Sequence, residues 1–435
     1  MNSKATRITV IGGLATLLLA LVVILMANPA AASGTGDWPP PAMGDWVINQ
    51  PTTVIDEPLV YLWDQNIIIN SKLTVYNSNI YMDDYSWPPV HYSITVNIGS
   101  TFTANETRVD AWTPINLWVH GSMNLNDCYF DETEDFNITA RGTAKINDTV
   151  FDDVYNNINI LGNLDMTNSY IRDVFGTFVI TGTSTMDDVY IDDVDRGFWI
   201  SGTVDFNDTD IRYVNYAFNV TGNANLEYVR FYRVYDGMNL MGTVDMSYCD
   251  MMYIYYANFA GTVDISNTRW YYMYYGVQLT GDVDIDTCEM YYVRNGVYIG
   301  SDDVSIANSN FYTMYYQGIY IDDCSPSMDN VTMRVTSSYS YDVYFKTDMS
   351  GSSEDRFPMA VGNGIWVAGG VPTFNDVSVE ADVRVNFRIN YTGTEEEPTI
   401  YLMGMACAVL IDSPDMDVVS GLTVHDSSYY MASYT

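Results

Sequence analysis

Positive charge is scarce in this chain of 435 residues, which has 18 Lys plus Arg against 55 Asp plus Glu and a formal net charge of −37. Nucleic-acid recognition needs cations clustered against phosphates, so this composition excludes that class of partner. Histidine is also nearly absent, with His91, His120 and His425 as the only three. So few imidazoles argue against a histidine metal site and against histidine acid–base catalysis.

Cysteine and proline are sparse as well, with five and 14 residues. There is no C-x-x-C pair, which argues against structural zinc. Cys128, Cys249 and Cys288 each follow a recurring glycine by seven residues, at a position that elsewhere holds Ser or Thr. We therefore predict small buried residues and not a disulfide framework, although a single bridge between Cys324 and Cys407 stays open.

The N-terminus carries the features of an export signal. Lys4 and Arg7 precede an apolar run over residues 8–26, and small residues at Ala30 and Ala32 follow it. This order predicts a secretory signal peptide over residues 1–32. The run is almost long enough for a membrane span, so an uncleaved membrane tether through residues 8–26 is the alternative. Either interpretation makes the protein secreted or places it at the cell surface.

Exported chains can be glycosylated at N-x-S/T sequons. The glycosylation candidates after the export signal are Asn105, Asn137, Asn147, Asn207, Asn219, Asn330 and Asn390.

A period of about 20 residues organises the middle of the chain. It is set by Gly121, Gly142, Gly162, Gly182, Gly202, Gly222, Gly242, Gly261 and Gly281. The second and fourth residues after each glycine are mostly apolar and the third mostly polar, as in a strand with one buried face. Two more short apolar segments complete each period. Three short strands per turn without a helical period predict an all-β fold, a single-stranded, right-handed parallel β-helix or solenoid.

The same pattern sets the predicted domain boundaries. Residues 33–60 are an extended lead-in and N-terminal cap, and the β-helix covers 61–345 with its regular coils over 118–321. Residues 346–435 form a polar loop and then strands that continue or cap the helix. This ending leaves two interpretations open, a truncated longer protein or self-assembly through the helix ends.

Acidic residues recur ten and eleven positions after the glycines of the first turns. Stacked carboxylates about 5 Å apart repel each other and attract a cation, and calcium accepts several such oxygens. The candidate calcium ligands are Asp152, Asp153, Asp173, Asp192 and Asp193. The alternative is a solvated acidic face, and no other cofactor is predicted.

Tyrosine replaces these acids in the later turns, within a total of 37 tyrosines. Tyrosine offers a flat ring with a polar group, which suits sugar rings or protein partners. The candidate binding face consists of Tyr253, Tyr255, Tyr271, Tyr272, Tyr274, Tyr291, Tyr292 and Tyr312. A side-chain ladder that only stabilises the sheet is the alternative.

Over residues 60–345 the coil pattern resembles the pectate-lyase-like superfamily. Polygalacturonases of that superfamily carry N-T-D, D-D, G-H-G and R-I-K motifs, of which only D-D occurs here, at 152–153, 187–188 and 192–193. The resemblance thus implies the non-catalytic type found on archaeal and bacterial cell surfaces. Its expected role is structural, adhesive or in assembly, with polysaccharides or other surface proteins as partners.

A polysaccharide lyase or glycoside hydrolase is the alternative that the resemblance leaves. Lyases of the superfamily use an Arg or Lys base beside calcium, and Arg172 and Arg212 lie near the acidic column. Nothing in the sequence indicates a lowered pKa for either residue, so we predict that the protein is not an enzyme.

Overall fold

The computed structural model describes residues 34–83, 91–314, 317–345, 360–391, 404–411 and 422–434. Within these ranges the protein is all-β and contains no helix. The chain winds into a parallel solenoid with three strands per turn and coils about 20 residues apart. The predicted all-β parallel β-helix is therefore confirmed, whereas its right hand stays a prediction.

The strands, numbered β1–β46 in chain order, form three ladders that run along the solenoid. The first ladder contains β3 (Thr52–Ile55), β6 (Lys72–Tyr76), β9 (Thr101–Asn105), β12 (Ser122–Asn126), β15 (Thr143–Asn147), β18 (Asn163–Thr167), β21 (Thr183–Asp187), β24 (Thr203–Asn207), β27 (Asn223–Glu227), β30 (Thr243–Ser247), β33 (Thr262–Ser266), β36 (Asp282–Asp286), β39 (Val304–Ala307), β42 (Ser327–Phe345), β44 (Thr373–Tyr391) and β46 (Leu422–Tyr434). The short β1 (Gly34–Thr35) pairs antiparallel with β3.

The second ladder follows the first around each coil. It contains β4 (Val60–Trp63), β7 (Asn79–Asp83), β10 (Arg108–Ala111), β13 (Tyr129–Phe130), β16 (Val150–Phe151), β19 (Tyr170–Val174), β22 (Tyr190–Val194), β25 (Asp210–Val214), β28 (Arg230–Val234), β31 (Asp250–Ile254), β34 (Arg269–Tyr271), β37 (Glu289–Tyr291) and β40 (Asn310–Met314).

The third ladder closes each coil. It contains β2 (Trp46–Ile48), β5 (Ile67–Ile69), β8 (Ser93–Val96), β11 (Ile115–Val119), β14 (Thr133–Ile138), β17 (Ile158–Ile160), β20 (Phe178–Ile180), β23 (Phe198–Ile200), β26 (Phe218–Val220), β29 (Met238–Leu240), β32 (Ala257–Phe259), β35 (Val277–Leu279), β38 (Val297–Ile299), β41 (Gln317–Asp322), β43 (Ala360–Ala368) and β45 (Gly404–Ile411).

Alternation along each strand divides the residues between core and surface. In β24, Val204 and Phe206 are buried while Asp205 between them is exposed. Equivalent residues lie in register one coil apart, so like side chains stack inside the solenoid. Phe178 and Phe198 stack with their ring centroids 4.9 Å apart. The core is thus a set of continuous apolar columns whose burial supplies the main driving force for folding.

The recurring glycines are required by close approach between coils. A Cβ built on Gly202 would lie only 2.1 Å from the carbonyl oxygen of Gly182, and one on Gly222 would lie 2.0 Å from that of Gly202. From Gly142 on, the amide of the residue after each glycine donates a hydrogen bond to the glycine carbonyl of the preceding coil, as that of Thr203 does to Gly182 at 2.9 Å. Any side chain here would push two coils apart, which explains the constancy of this position.

The three-sided winding changes near the end of the described residues. β42 pairs with β39 through Ser327–Asp329 and with β40 through Thr332–Val335. One long strand therefore continues both the first and the second ladder, and β44 and β46 add to it in parallel.

The predicted domain boundaries meet the structure in several places. Coil strands β2, β3 and β4 already begin within the predicted lead-in of 33–60. Residues 346–359 lie outside the described residues, and β43–β46 beyond them extend the three ladders. The predicted signal or tether over 1–32 also lies outside the described residues. No helix with the length and hydropathy to cross a membrane is present in the part of the chain that the structure describes.

The cysteines behave as the sequence indicated. Cys128, Cys249 and Cys288 are buried free thiols, and burial raises the pKa of Cys249 and Cys288 to about 12. Cys324 is also a buried free thiol, so the bridge to Cys407 that the spacing left open is not formed.

Candidate functional site

One repeat position, within or directly beside the strands of the second ladder, has the same backbone conformation in every regular coil. The eleventh residue after each recurring glycine has a left-handed backbone with φ between 51° and 63°. These residues are Glu132, Asp153, Asp173, Asp193, Tyr213, Arg233, Tyr253, Tyr272 and Tyr292. Asp tolerates this conformation, whereas a bulky side chain in it is an outlier. We call this series the left-handed column.

Three carboxylates converge in the first two coils of the left-handed column, which we call its lower, N-terminal end. Asp131, Glu132 and Asp153 each offer an oxygen, and these oxygens all lie within 4.8 Å of one another. Burial and the neighbouring carboxylates together raise the pKa of all three groups above the ordinary value. We call these residues the acidic cluster. It has the oxygen donors that calcium accepts.

Of the five predicted calcium ligands, only Asp153 belongs to the acidic cluster. Asp152 instead accepts a hydrogen bond of 2.8 Å from the Tyr129 hydroxyl. Asp173 is the next left-handed residue, and its charge contributes to the raised pKa of Asp153. Asp193 is exposed one coil further on. Asp131 and Glu132 were missed, although they occupy the same two repeat positions as Asp152 and Asp153.

Asp192 lies in a different electrostatic setting from the cluster. It pairs in register with Arg172 on one side and Arg212 on the other. Burial nevertheless raises the pKa of Asp192, and one of its oxygens has no hydrogen-bond partner among the described residues. Alternating charges interrupt the predicted carboxylate ladder here, because arginine replaces aspartate at the tenth position in both neighbouring coils.

Arg212 is held by two hydrogen bonds to Asp210, at 3.0 Å from Nε and 2.5 Å from Nη2. These bonds raise the pKa of the guanidinium further. Arg172 lies over the Tyr170 ring with its Cζ 5.3 Å from the ring centroid. The neighbours of Arg212 thus favour its charged form, the opposite of what a general base requires.

The eight tyrosines of the predicted binding face lie on adjacent coils, and their rings stack along the solenoid axis. Tyr253, Tyr272 and Tyr292 form one stack with centroid separations of 4.9 and 4.8 Å and nearly parallel planes. Tyr271 stacks on Tyr291 at 4.9 Å, and Tyr291 continues to Tyr312 at 5.0 Å. Tyr255 stacks on Tyr274 at 5.5 Å. We call the eight predicted tyrosines together with Tyr275 the tyrosine face.

This stacking decides which part of each ring a partner can reach. Tyr272 is flanked by Tyr253 on one side and Tyr292 on the other, so both of its faces lie against another ring. It is still 45% exposed, which leaves its edge and hydroxyl at the surface. Tyr291 donates its hydroxyl proton to Glu289, and burial together with this bond raises its pKa to about 12. The tyrosine face therefore presents ring edges and hydroxyl groups more than flat ring faces.

The predicted glycosylation candidates differ in accessibility. Asn137 and Asn219 are only 6% and 7% exposed, and the oxygen of each accepts a hydrogen bond of 2.8 Å from the asparagine one coil further on. Such burial leaves no room for a glycan in the folded chain. Asn105, Asn147 and Asn207 are half-buried and Asn330 is exposed, whereas the side chain of Asn390 lies outside the described residues.

Two of the half-buried sequons border an open groove on the first ladder. The groove has a volume of about 380 Å³ and is lined by polar side chains that include Asn105, Asn126, Lys145 and Asn147. Asn126 and Asn147 continue a hydrogen-bonded amide ladder that starts at Asn105.

No protein-family model matches the chain, and no curated protein shows significant similarity to it.

Proposed function

We propose that the chain is an exported, non-catalytic β-solenoid of the cell surface or extracellular space, with a structural, adhesive or assembly role. The observation that carries the proposal is the tyrosine face, an exposed aromatic surface that extends over four adjacent coils. Exposed aromatic surface of this extent is unusual unless a partner covers it. The export pattern over residues 1–32 supports a role outside the cytoplasm.

The partner of the tyrosine face is another surface protein or a glycan, and it binds through ring edges and hydroxyl groups. Hydroxyls repeated at the coil spacing suit a ligand that also carries hydrogen-bonding groups at intervals. Tyr is among the residues that contribute most to protein interfaces, because it adds apolar area and a hydrogen bond at a small entropic cost.

Binding is tested by retention on immobilised glycans and on envelope preparations. The double variant Tyr272→Ala, Tyr292→Ala should abolish retention, because it removes two of the three rings of the stack that contains Tyr253, Tyr272 and Tyr292. Tyr228→Ala is the matched control, since Tyr228 is 52% exposed and stacks on Tyr248 at the edge of a different ladder. Unchanged retention of the double variant would remove the tyrosine face from the proposal.

The catalytic alternative, a polysaccharide lyase or glycoside hydrolase, receives less support. The pKa of Arg212 is raised, and so is that of Arg108, which forms an ion pair with Asp131 of the acidic cluster, whereas a general base requires a lowered pKa. Incubation with polyuronates and with neutral glycans, with added calcium, should release no new chain ends. Release of unsaturated or reducing ends would refute the non-catalytic proposal.

Calcium is the one ion that the proposal retains, at the acidic cluster. Adding calcium at constant ionic strength should raise the melting temperature of the purified chain, and Asp153→Asn should remove the increase. Equal effects of calcium on both chains would assign the acidic cluster to the solvated acidic face instead.

A further inference from the structure

Two tyrosines on neighbouring coils depart from the stacked arrangement of the tyrosine face. Tyr255 and Tyr275 approach with ring centroids 4.5 Å apart and planes at 70°. The hydroxyl of Tyr255 donates a hydrogen bond of 3.1 Å to the hydroxyl of Tyr275. No shorter ring separation occurs among the aromatic pairs of the described residues. Both rings are well exposed, at 39% and 51%.

The backbone fixes this pair in position. The amide of Tyr275 donates to the carbonyl of Tyr255 at 2.7 Å, and that of Tyr255 donates to the carbonyl of Val234 at 3.1 Å. Tyr255 also stacks on Tyr274 at 5.5 Å with nearly parallel planes, which limits its rotation. The two rings are therefore held together by the coil-to-coil hydrogen bonds of the solenoid.

We propose that Tyr255 and Tyr275 form an oxidative cross-linking site, at which a one-electron oxidant of the peroxidase class joins the two rings into a dityrosine. Each phenol loses one electron and one proton, and the two phenoxyl radicals couple through the carbons ortho to their oxygens. The ortho hydrogens then move to the oxygens as the rings regain aromaticity. Two electrons pass to the oxidant in total, and the product is a biphenol that bridges adjacent coils.

The geometry of the pair matches that product better than the stacked pairs do. In a biphenol the two hydroxyls flank the new bond within hydrogen-bonding distance, as those of Tyr255 and Tyr275 already are. The two rings of a biphenol are also twisted about the new bond. Tyr253 and Tyr272 instead lie with planes 3° apart, so their ring edges point in the same direction and not at each other. Cross-linking should therefore select Tyr255 and Tyr275 from a crowded surface.

The hydrogen bond between the two hydroxyls also raises the pKa of Tyr255. Tyr255 thus keeps its proton in neutral solution, and oxidation removes an electron and a proton together.

The experiment uses the purified full chain with a haem peroxidase and a limiting amount of hydrogen peroxide. The expected result is dityrosine fluorescence in a monomeric band with the mass of two hydrogen atoms missing. Arg269 lies between the two tyrosines in the sequence, so trypsin places them in separate peptides that remain joined only if the bridge has formed. Fragmentation of the joined peptides should locate the bridge at residues 255 and 275.

Matched variants separate this pair from its neighbours. Tyr255→Phe and Tyr275→Phe keep the rings but lose the oxidisable hydroxyl, so each should abolish the bridge. Tyr253→Phe and Tyr272→Phe should leave it unchanged, although these residues are equally exposed at 42% and 45%. Circular dichroism verifies that every variant keeps its fold. Bridges mapped to the stacked pairs, bridges only between molecules, or a bridge that survives Tyr275→Phe would each overturn the proposal.

Discussion

The first and second halves of the left-handed column share one backbone conformation and differ in side chains. Asp153, Asp173 and Asp193 occupy it in the lower coils, with φ of 51° to 53°, and Tyr253, Tyr272 and Tyr292 in the upper coils, with φ of 59° to 60°. Aspartate adopts this conformation at a small cost, whereas tyrosine has no such ease. The lower half thus satisfies the backbone and leaves charge repulsion, while the upper half strains the backbone and gains ring stacking. The same repeat position therefore carries a different energetic cost in each half, charge repulsion in the lower half and backbone strain in the upper half.

The largest expected effect tests whether this difference is confined to the surface. Phe151 lies beneath the acidic half and Phe231 beneath the start of the aromatic half, and both are fully buried at the same repeat position. Truncation of either to Ala should lower the unfolding free energy by about 3–5 kcal/mol, because each leaves a cavity of similar size. Denaturant titration of the two variants checks this. If the two variants lose clearly different amounts of unfolding free energy, the two halves also differ in the core.

Replacement of a stacked tyrosine weighs strain against stacking. Tyr272→Asn relieves a left-handed tyrosine, worth about 1–2 kcal/mol. It also removes two ring stacks, each worth about 0.5–1.5 kcal/mol beyond the apolar area that they bury. We expect a net loss of about 1 kcal/mol in the free energy of unfolding, measured by denaturant titration. Asp173→Asn, at the same repeat position and also left-handed, has no stacked rings to lose and should not lower the free energy of unfolding. An increase in stability for Tyr272→Asn would mean that strain exceeds stacking.

The acidic half should make the protein more stable in mild acid than at neutral pH. The folded-state pKa values of Asp131, Glu132, Asp153, Asp192 and Asp193 are raised, chiefly by burial. The folded chain therefore binds protons more tightly than the unfolded chain. This stabilisation is present below the ordinary carboxyl pKa of about 4 and is lost as pH rises through the raised values.

Melting temperatures measured from pH 4 to pH 7.5 check this expectation, and they should fall across the range. High salt should flatten the profile, because it screens the repulsion between the partly exposed carboxylates. A melting temperature that rises steadily toward pH 7.5 would contradict the raised pKa values.

The smallest expected effect comes from one charge of the acidic cluster. Asp153→Asn keeps a side chain that tolerates the left-handed backbone and removes one of three repelling carboxylates. Because Asp153 is partly exposed, screening limits the gain to about 0.5 kcal/mol in the free energy of unfolding at pH 7 without calcium. The gain should shrink as pH falls through the raised pKa of the wild-type carboxyl. Asp187→Asn, at the exposed end of β21 in the first ladder, is the control and should show no comparable gain.

The sequence predicted those features that repetition makes visible. Alternation such as that around Val204 and Phe206 predicted the strands and their buried face, and its recurrence about every 20 residues predicted the parallel coil. The predicted right hand is not tested by any of these features. Burial of Asn137 and Asn219 escaped prediction, because their outward positions in the third ladder are covered by neighbouring side chains.

Prediction of the candidate site would have required distances between side chains, which a sequence does not contain. The sequence indicated that carboxylates recur at fixed positions. It did not indicate that oxygens of Asp131, Glu132 and Asp153 lie close together between two adjacent coils. Eight tyrosines of the tyrosine face were predicted, because tyrosine recurs at fixed repeat positions in the later turns. That its rings cover each other, and that the hydroxyls of Tyr255 and Tyr275 meet in a hydrogen bond, depends on side-chain torsions and on the twist between coils.

The glycine contact between coils has a consequence for how such a chain changes its length over evolutionary time. From Gly162 to Gly281 the Cβ position of each recurring glycine lies against the backbone of the preceding coil, as that of Gly202 lies against Gly182 and Thr181. A coil copied or deleted as a whole therefore presents its neighbours with the same contact that they had before. Recombination in units of one repeat can lengthen or shorten the protein in steps of about 4.8 Å, the spacing between strands, without any compensating substitution. Insertions of any other size within a strand break the register of every column at once.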